Sequence, residues 1–212
     1  MGNRYGVIDL FAGPGGLGEG FAGLECGNNH PFRIVISAET DPAAHATLRL
    51  RAFVRAHLRE EGVLPPGYPE YHAGRTPQPD WAQQFPKLWS TAENEARRLT
   101  IGTAEAREPL AAAIREARTL FDDTIVIGAP PCQAYSLVGR ARNRGVTGYR
   151  PENDHRHYLY RHYIEVLREL RPAAFVMENV KGMLSAAVGG ERVFDMIFGG
   201  PSLHRREDRR SV

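Results

Sequence analysis

Short apolar runs alternate along this chain with longer segments in which apolar residues recur at helical spacing. The apolar runs predict strands at residues 5–10, 33–38, 124–128 and 173–177. The longer segments predict helices that begin within residues 13–20 and span about 42–62, 103–120 and 154–170. Strands that alternate with helices form parallel sheets with right-handed crossovers. We therefore predict an α/β fold with one open, mostly parallel sheet flanked by helices.

The second predicted helix has clear boundary signals. Asp41 precedes Pro42, which is typical of an N-cap followed by proline in the first turn, and Gly62 is a typical helix end. The spacing predicts one buried face formed by Leu48, Phe53, Val54 and Leu58. The following residues, 63–89, are rich in proline, glycine and tyrosine, and we interpret 63–98 as an insertion or a long loop.

Composition narrows the class of protein without choosing a function. Of the 212 residues, 42% are hydrophobic and 25% are charged, which is ordinary for a globular domain. No apolar run is long enough for a membrane span and the start lacks a signal-peptide pattern, so we expect a cytoplasmic protein with no membrane partner. The net charge of +2 permits nucleic-acid binding without arguing for it.

Cysteine and histidine usage gives no reason to expect a metal site. The two cysteines are too few for a disulfide framework or a structural zinc site. Cys26 has no polar motif around it, and we interpret it as a buried packing residue. His155, His157 and His162 have no partner acid or cysteine at ligand spacing, which favours a solvated helix start.

Polar or glycine-rich clusters follow the carboxyl ends of the predicted strands. Open parallel sheets bind their ligands beyond these ends. The cluster from Gly13 to Gly18 fits the G-x-G-x-x-G pattern, in which glycines allow a tight turn and close approach to a ligand. Glu39 lies at the distance downstream that suits an acid bound to ribose hydroxyls. This pattern predicts an adenosine-containing cofactor, but alone it does not separate NAD from S-adenosylmethionine.

Four segments together resemble the DNA (cytosine-5) methyltransferases. Residues 9–16 resemble the family's first motif, 129–136 its Pro-Pro-Cys nucleophile motif, 154–160 its Asp-x-Arg-x-x-Leu helix start and 177–182 its Glu-Asn-Val motif. They occur in the family's order, and the resemblance covers residues 5 to about 197. It implies a Rossmann-like methyltransferase fold, S-adenosylmethionine as cofactor, double-stranded DNA as substrate and methyl transfer to carbon 5 of cytosine.

The resemblance also implies which residues form the site. The catalytic residues are Cys132, Glu178, Asn179 and Arg156. The cofactor-binding residues are Phe11, Gly13, Gly15, Gly16, Leu17, Glu39, Thr40 and Pro130. The DNA-binding residues are Gln133, Ser136, Arg140, Arg142 and Arg144.

The assigned chemistry explains two of these residue types. Cys132 supplies a nucleophile that can add to carbon 6 of the ring and leave again by elimination. The resemblance implies that Glu178 contacts ring nitrogen 3, where charge builds during the addition, and we expect this carboxyl to be partly buried.

The chain also departs from the family's pattern. Residues 99–103 stand where the family places an acid that contacts the cofactor's adenine, and we expect Thr103 to take that position. The family's Gln-x-Arg-x-Arg strand and target recognition domain have no counterpart, so we interpret 1–200 as a catalytic domain and 201–212 as a basic tail. A second polypeptide that carries the recognition domain and a truncated protein are both open interpretations.

Three alternatives remain at this point. An RNA cytosine-5 methyltransferase would share the nucleophile and glutamate motifs. An NAD-linked oxidoreductase would explain the glycine turn but leave the Pro-Pro-Cys and Glu-Asn-Val motifs without a role. A catalytically inactive, truncated or regulatory methyltransferase-like protein would keep the sheet and the cofactor pocket without turnover.

Overall fold

The computed structural model describes residues 5–26, 29–130, 159–178, 187–188 and 191–192. The chain divides into two compact units, which are described separately. The first comprises Met1–Ala129 and Pro172–Met177, and the second comprises Pro130–Arg171 and Glu178–Val212.

A parallel sheet forms the centre of the first unit. Within the described residues its strands are β1 (Tyr5–Leu10), β2 (Phe32–Glu39), β3 (Ala96–Arg98), β4 (Asp123–Gly128) and β5 (Ala174–Met177). They lie in the order β3-β2-β1-β4-β5, and every neighbouring pair is parallel. The architecture is α/β, as the sequence predicts, and it agrees with a Rossmann-like methyltransferase fold. The edge strand β3 was not predicted.

Helices connect the strands of the first unit. They are α1 (Gly16–Ala22), α2 (Pro42–Glu61), α3 (Tyr68–His72), α4 (Trp81–Gln84), α5 (Pro86–Glu95) and α6 (Ala104–Leu120). The second unit contains α7 (Leu159–Leu170) and an antiparallel pair of two-residue strands, β6 (Ala187–Val188) and β7 (Glu191–Arg192). In the part of the chain that the structure describes, no helix combines the length and apolar character needed to cross a membrane.

The predicted boundaries of α2 are confirmed. Asp41 caps the helix, because its Oδ1 accepts hydrogen bonds from the backbone N–H groups of Ala43 (3.0 Å) and Ala44 (2.8 Å). At the other end Gly62 adopts a left-handed conformation with φ of 74°, and its N–H donates to the Leu58 carbonyl. Both signals are local, which is why the sequence predicts them well.

The buried face of α2 was predicted only in part. Leu48 and Phe53 are buried, but Leu58 is 40% exposed, so its assignment to the core is wrong. His57 lies in the core instead, with its ring edge-on to Phe85 and its Nδ1 2.9 Å from the Val63 carbonyl oxygen. A histidine with a backbone partner and aromatic neighbours is stable there, because its polar nitrogen is satisfied.

Residues 63–98 are not a long loop, which corrects that part of the interpretation. They form α3, α4, α5 and the edge strand β3. Trp81 is fully buried, and its indole N–H donates to the Pro66 carbonyl at 3.0 Å. The aromatic residues that suggested a loop pack around it and around the buried face of α2: Tyr68, Tyr71, Phe85 and Trp89. Pro69 and Pro86 stand in the first turns of α3 and α5, where proline is favoured.

Cys26 is exposed, so its interpretation as a buried packing residue is wrong. It forms an isolated antiparallel bridge with Asn29, in which the two residues exchange backbone hydrogen bonds of 2.8 and 3.2 Å. The backbone of this turn, rather than the thiol, accounts for the local structure.

One arginine links three helices. Arg55 of α2 forms ion pairs with Glu19 of α1 and Glu95 of α5, and its side chain is only 11% exposed. Burial by itself lowers the pKa of Arg55, but the two carboxylates outweigh burial and raise the pKa overall. The three charges therefore form a buried network whose members depend on one another.

We expect Arg55→Met to destabilise the chain by about 3 kcal/mol, the lower end for a broken buried pair, because it leaves the partly buried Glu19 and Glu95 without a cation. Urea unfolding followed by circular dichroism measures the loss. The matched control is the triple variant Arg55→Met, Glu19→Gln and Glu95→Gln, which removes the unpaired charges and should recover most of the stability. Equal losses in the single and triple variants would contradict this role for the network.

Candidate functional site

The carboxyl end of β1 leads into a tight turn that the glycines make possible. Phe11, Gly13 and Gly15 all have positive φ, of 57°, 57° and 89°. The Gly15 N–H donates to the Ala12 carbonyl at 3.0 Å, and α1 begins at the next residue. A Cβ on Gly15 would lie 2.7 Å from the Leu48 side chain, so both conformation and space require glycine there.

Glu39, the last residue of β2, joins this turn to the next strand end. Its Oε2 accepts a hydrogen bond from the Gly13 N–H at 2.8 Å. Its Oε1 accepts from the N–H groups of Thr40 (2.8 Å) and Asp41 (2.7 Å). The carboxylate is half-buried, and Oε2 accepts one hydrogen bond among the described residues, where an ionised oxygen can accept two bonds or more. Glu39 can therefore hold the turn and accept a bond from a ligand hydroxyl.

The structure brings together the predicted cofactor residues at the ends of β1 and β2. Phe11, Gly13, Gly15, Gly16 and Leu17 follow β1, Glu39 ends β2 and Thr40 follows it. Ala12 donates to the Ala38 carbonyl at 3.0 Å, which holds the two strand ends side by side. A Cβ added at Gly13 or at Gly16 would meet no atom within 4 Å, so space remains open at the turn.

The loop after β3 contributes a contact that the sequence did not indicate. The hydroxyl oxygens of Thr40 and Thr100 lie 2.6 Å apart, so Thr100 belongs to the same strand-end cluster. Thr103, which we expected at this position, is the N-cap residue of α6. Because β3 was not predicted from the sequence, the placement of Thr100 beside Thr40 could not be predicted either.

Asp9 is a second residue that sequence reasoning did not single out for its chemistry. It lies within β1 and is 1% exposed, and neither carboxyl oxygen has a hydrogen-bond partner of normal geometry among the described residues. A Cβ on Gly18 of α1 would lie 2.8 Å from its Oδ2, so the helix packs directly on this carboxyl. An acid within an otherwise apolar strand is the signal that could have found it.

Burial accounts for most of the ionisation behaviour of Asp9. Desolvation, with a further contribution from the Glu95 charge, raises the pKa of Asp9 from 3.8 to about 7, although Ser37 opposes the shift. A carboxyl with this pKa is partly protonated at neutral pH, directly beneath the helix that begins in the glycine turn.

The nucleophile motif begins beside the same turn. The N–H of Ala129, which follows β4, donates to the Leu10 carbonyl at 3.3 Å, and Pro130 is buried. The rest of the predicted catalytic and DNA-binding set lies outside the described residues: Cys132, Gln133, Ser136, Arg140, Arg142, Arg144, Arg156 and Asn179. Glu178 follows β5 directly and is exposed, so the partial burial that we expected for its carboxyl is wrong.

Comparison with known proteins identifies the family. Residues 111–198 match the family model described as C-5 cytosine-specific DNA methylase. The Type II methyltransferase M.Bpa9945I of Bacillus paralicheniformis is 34% identical over 200 residues, which cover 86% of this chain and 42% of the relative. Residues 111–198 of the chain therefore carry a C-5 cytosine-specific DNA methylase domain. The resemblance of the chain to the cytosine-5 methyltransferases is thereby confirmed.

Two further relatives show how much of such a protein this chain spans. The Type II methyltransferase M.AgeI of Thalassovita gelatinovora is 31% identical over 191 residues, which cover 90% of this chain and 31% of the relative. The DNA (cytosine-5-)-methyltransferase M.ApeKI of Aeropyrum pernix is 29% identical, with 88% of this chain and 31% of the relative covered. The chain thus spans less than half the length of these curated relatives.

We expect the buried Asp9 to make the stability of the chain depend on pH. In the unfolded chain the carboxyl ionises near its ordinary pKa of 3.8, whereas the fold retains the proton up to about pH 7. The native state therefore binds more protons in this window, so stability falls as pH rises from about 4 to 7, by on the order of 4 kcal/mol.

Asp9→Asn removes this titration and keeps the shape of the side chain. The difference in unfolding free energy between pH 5 and pH 8, measured with urea, should shrink in the variant. Glu116→Gln, at an exposed acid of α6, is the matched control and should leave the pH profile unchanged. An identical pH profile for Asp9→Asn and the unmodified chain would show that Asp9 does not carry the dependence.

Proposed function

We propose that this chain is the cofactor-binding, catalytic part of an enzyme that transfers a methyl group from S-adenosylmethionine to carbon 5 of cytosine in double-stranded DNA. The observation that carries the proposal is the Glu39 carboxylate, which lies against the glycine turn with capacity for a further hydrogen bond. The match to the C-5 cytosine-specific DNA methylase family supports the chemistry.

The residues at the strand ends fit an adenosine-containing cofactor. Glu39 would accept a hydrogen bond from a ribose hydroxyl, and the open space at Gly13 and Gly16 would admit the ligand close to the backbone. The half-buried Phe11 ring offers a surface for the adenine, and Thr40 lies beside it at the end of β2. When bound, S-adenosylmethionine supplies the electrophilic methyl group.

Cys132 and Glu178 would activate the base. The Cys132 thiolate forms a bond to carbon 6 of cytosine, and the ring electrons move so that carbon 5 becomes the nucleophile. Glu178 donates a hydrogen bond or a proton at ring nitrogen 3 as charge builds there. After carbon 5 has gained the methyl group, it gives up its proton to a base. The bond between the Cys132 sulfur and carbon 6 then breaks, which restores the double bond of the ring and the free thiolate.

The polar residues around the nucleophile would bind DNA. An enzyme that acts on a base must first take it out of the stack. Arg140, Arg142 and Arg144 would contact phosphates, and Gln133 and Ser136, which follow Cys132 in the sequence, would also contact the DNA. Arg156 and Asn179 would support the site. Because this chain covers 42% of the first relative and 31% of the other two, we propose that sequence-specific recognition depends on further chain, in this or a second polypeptide.

Two other functions would use the same motifs. A methyltransferase that acts on RNA would transfer label from S-adenosylmethionine to tRNA rather than to duplex DNA, so incubation with each substrate separates the two. An inactive regulatory protein would bind the cofactor and transfer no label to either substrate. The match to a DNA methylase family favours DNA, and it leaves the NAD-linked oxidoreductase without support.

The cofactor assignment predicts the effect of Glu39→Ala. The variant should bind S-adenosylhomocysteine more weakly by about 1–3 kcal/mol in calorimetry, because hydrogen bonds to a charged group are lost. It also loses the bond to Gly13, so stability must be measured alongside binding. Asp41→Ala is the matched control, because it removes the α2 cap two residues away at a cost of about 1 kcal/mol and should leave affinity unchanged.

The cofactor test has one outcome that would overturn the assignment. NADH should not bind to the unmodified chain. Calorimetry that detects NADH but neither S-adenosylmethionine nor S-adenosylhomocysteine would show that the glycine turn serves a different chemistry.

The nucleophile assignment predicts that Cys132→Ser abolishes methyl transfer and leaves cofactor binding intact. The assay measures label transferred from S-adenosylmethionine to duplex DNA, with residues 1–212 and with a chimera that carries this segment in the Bacillus paralicheniformis relative. DNA that contains 5-fluorocytosine should trap a covalent adduct, because fluorine blocks the final loss of the proton. Cys26→Ser is the matched control and should remain active, whereas an adduct mapped to Cys26 would refute the mechanism.

A further inference from the structure

A cavity of about 730 Å³ lies beside the edge of β2 in the first unit. The short strand β3 pairs only with residues 37–39, so the first half of β2 has no strand neighbour on that side among the described residues. Residues of α2, α5 and α6 form the other walls of this cavity, which we call the β2-edge cavity. Its volume lies in the range of small-molecule binding sites.

Among the charged side chains that line the β2-edge cavity, more arginines than carboxylates lack an ion pair with a described residue. Arg33, Arg59 and Arg97 line it, and none forms an ion pair with a described residue. The acids on the walls are mostly occupied, since Glu95 pairs with Arg55 and Glu108 pairs with Arg115 at 2.7 Å. Against these three guanidinium groups Glu116 is the one remaining wall carboxylate in the described part of the chain.

Arg59 and a fourth arginine that lines the cavity, Arg55, are held in place before any ligand binds. Arg59 Nη2 donates to the Ala22 carbonyl at 2.7 Å, and Arg55 is fixed by its two carboxylate partners. Burial and the nearby charge of Arg55 lower the pKa of Arg59, and Arg33 contributes in the same direction, although Glu95 and Glu19 oppose the shift. The guanidinium groups therefore repel one another, and an anion placed among them would relieve that repulsion.

The edge of β2 is poorly suited to pairing with an added strand. Val7 lies opposite Ile34 and Ile8 lies opposite Ile36, so Val35 is an extra residue that forms a bulge. Arg33 precedes the bulge on the same edge. Bulges and charged side chains both discourage strand addition, which favours a compact ligand over an extended peptide.

We propose that the β2-edge cavity binds a small molecule that carries a phosphoryl group and is about the size of a mononucleotide. Arg33 and Arg59 would hold the phosphoryl group, because guanidinium groups match its oxygens in geometry and charge. Apolar residues on the floor of the cavity, among them Ile34, Val35 and Ala52, would contact the remainder of the ligand. Arg33 lies near the start of β2 and Glu39 at its end, about 20 Å apart at 3.3 Å per residue, so the site differs from the proposed cofactor site.

The test titrates adenosine 5′-monophosphate into residues 1–212 at constant ionic strength and follows the heat of binding. Saturating S-adenosylhomocysteine is present, so that the proposed cofactor site does not take up the adenosine group. Adenosine is the matched ligand without a phosphoryl group and should bind at least tenfold more weakly. Arg33→Gln and Arg59→Gln should each weaken binding of the monophosphate about tenfold or more, the effect of one lost charge-assisted hydrogen bond.

Arg107→Gln is the matched control, because Arg107 is exposed on α6 and does not line the cavity, and it should bind as the unmodified chain does. The Arg33 side chain is exposed and has no hydrogen bond or ion pair with a described residue, so Arg33→Gln decides the matter if Arg59→Gln fails to fold. Three outcomes would each overturn the proposal. They are an unchanged affinity of Arg33→Gln for the monophosphate, an equal affinity of the unmodified chain for adenosine and for the monophosphate, and no heat of binding when the monophosphate is in 10-fold excess over about 1 mM protein. Duplex DNA binding that needs these arginines, without binding of the monophosphate, would also overturn it and assign them to nucleic-acid contact.

Discussion

The Glu39 carboxylate is the contact on which the arrangement of the strand ends depends. It accepts hydrogen bonds from the backbone of the glycine turn after β1 and from the two residues that follow β2. One side chain thus determines the path of the chain out of both central strands and the start of α2. The glycine turn needs this partner because Phe11, Gly13 and Gly15 all adopt left-handed backbone conformations that few other contacts stabilise. A substitution of Glu39 would therefore change its structural role together with its proposed ligand-binding role.

Buried charge sits directly behind this turn. Asp9 lies beneath α1, and Arg55 draws α1, α2 and α5 together through Glu19 and Glu95. Packing alone does not account for these charges, because an apolar arrangement of the same shape would give comparable stability. The Asp9 carboxyl oxygens have no hydrogen-bond partner of normal geometry among the described residues, and ionisation of Asp9 would place a negative charge beside the first turn of α1.

The sequence predicted best those features that local chemistry determines. Four strands and the two ends of α2 follow from apolar runs, an Asp-Pro pair and a glycine, all of which act within a few residues. The errors fall where distant parts of the chain decide the outcome. Leu58 is exposed and His57 buried because Phe85, far along the chain, packs against the histidine ring. Residues 63–98 fold into helices around Trp81, and Thr100 reaches Thr40 only because β3 forms. In the site, the glycine turn and Glu39 were predictable as a pattern, whereas the burial of Asp9 and the exposure of Glu178 were not.

The order of the strands places the proposed cofactor turn and the start of the Pro-Pro-Cys motif at one edge of the sheet. β1, which leads into the turn, pairs directly with β4, and Leu10 lies opposite Gly128 at their ends. The hydrogen bond from Ala129, the first residue of the motif, to Leu10 extends this pairing by one residue beyond the sheet. Because neighbouring strands are about 4.8 Å apart, a cofactor bound at the turn after β1 would lie at the same sheet edge as Ala129. The remaining demand on the protein is to bring the base to that edge.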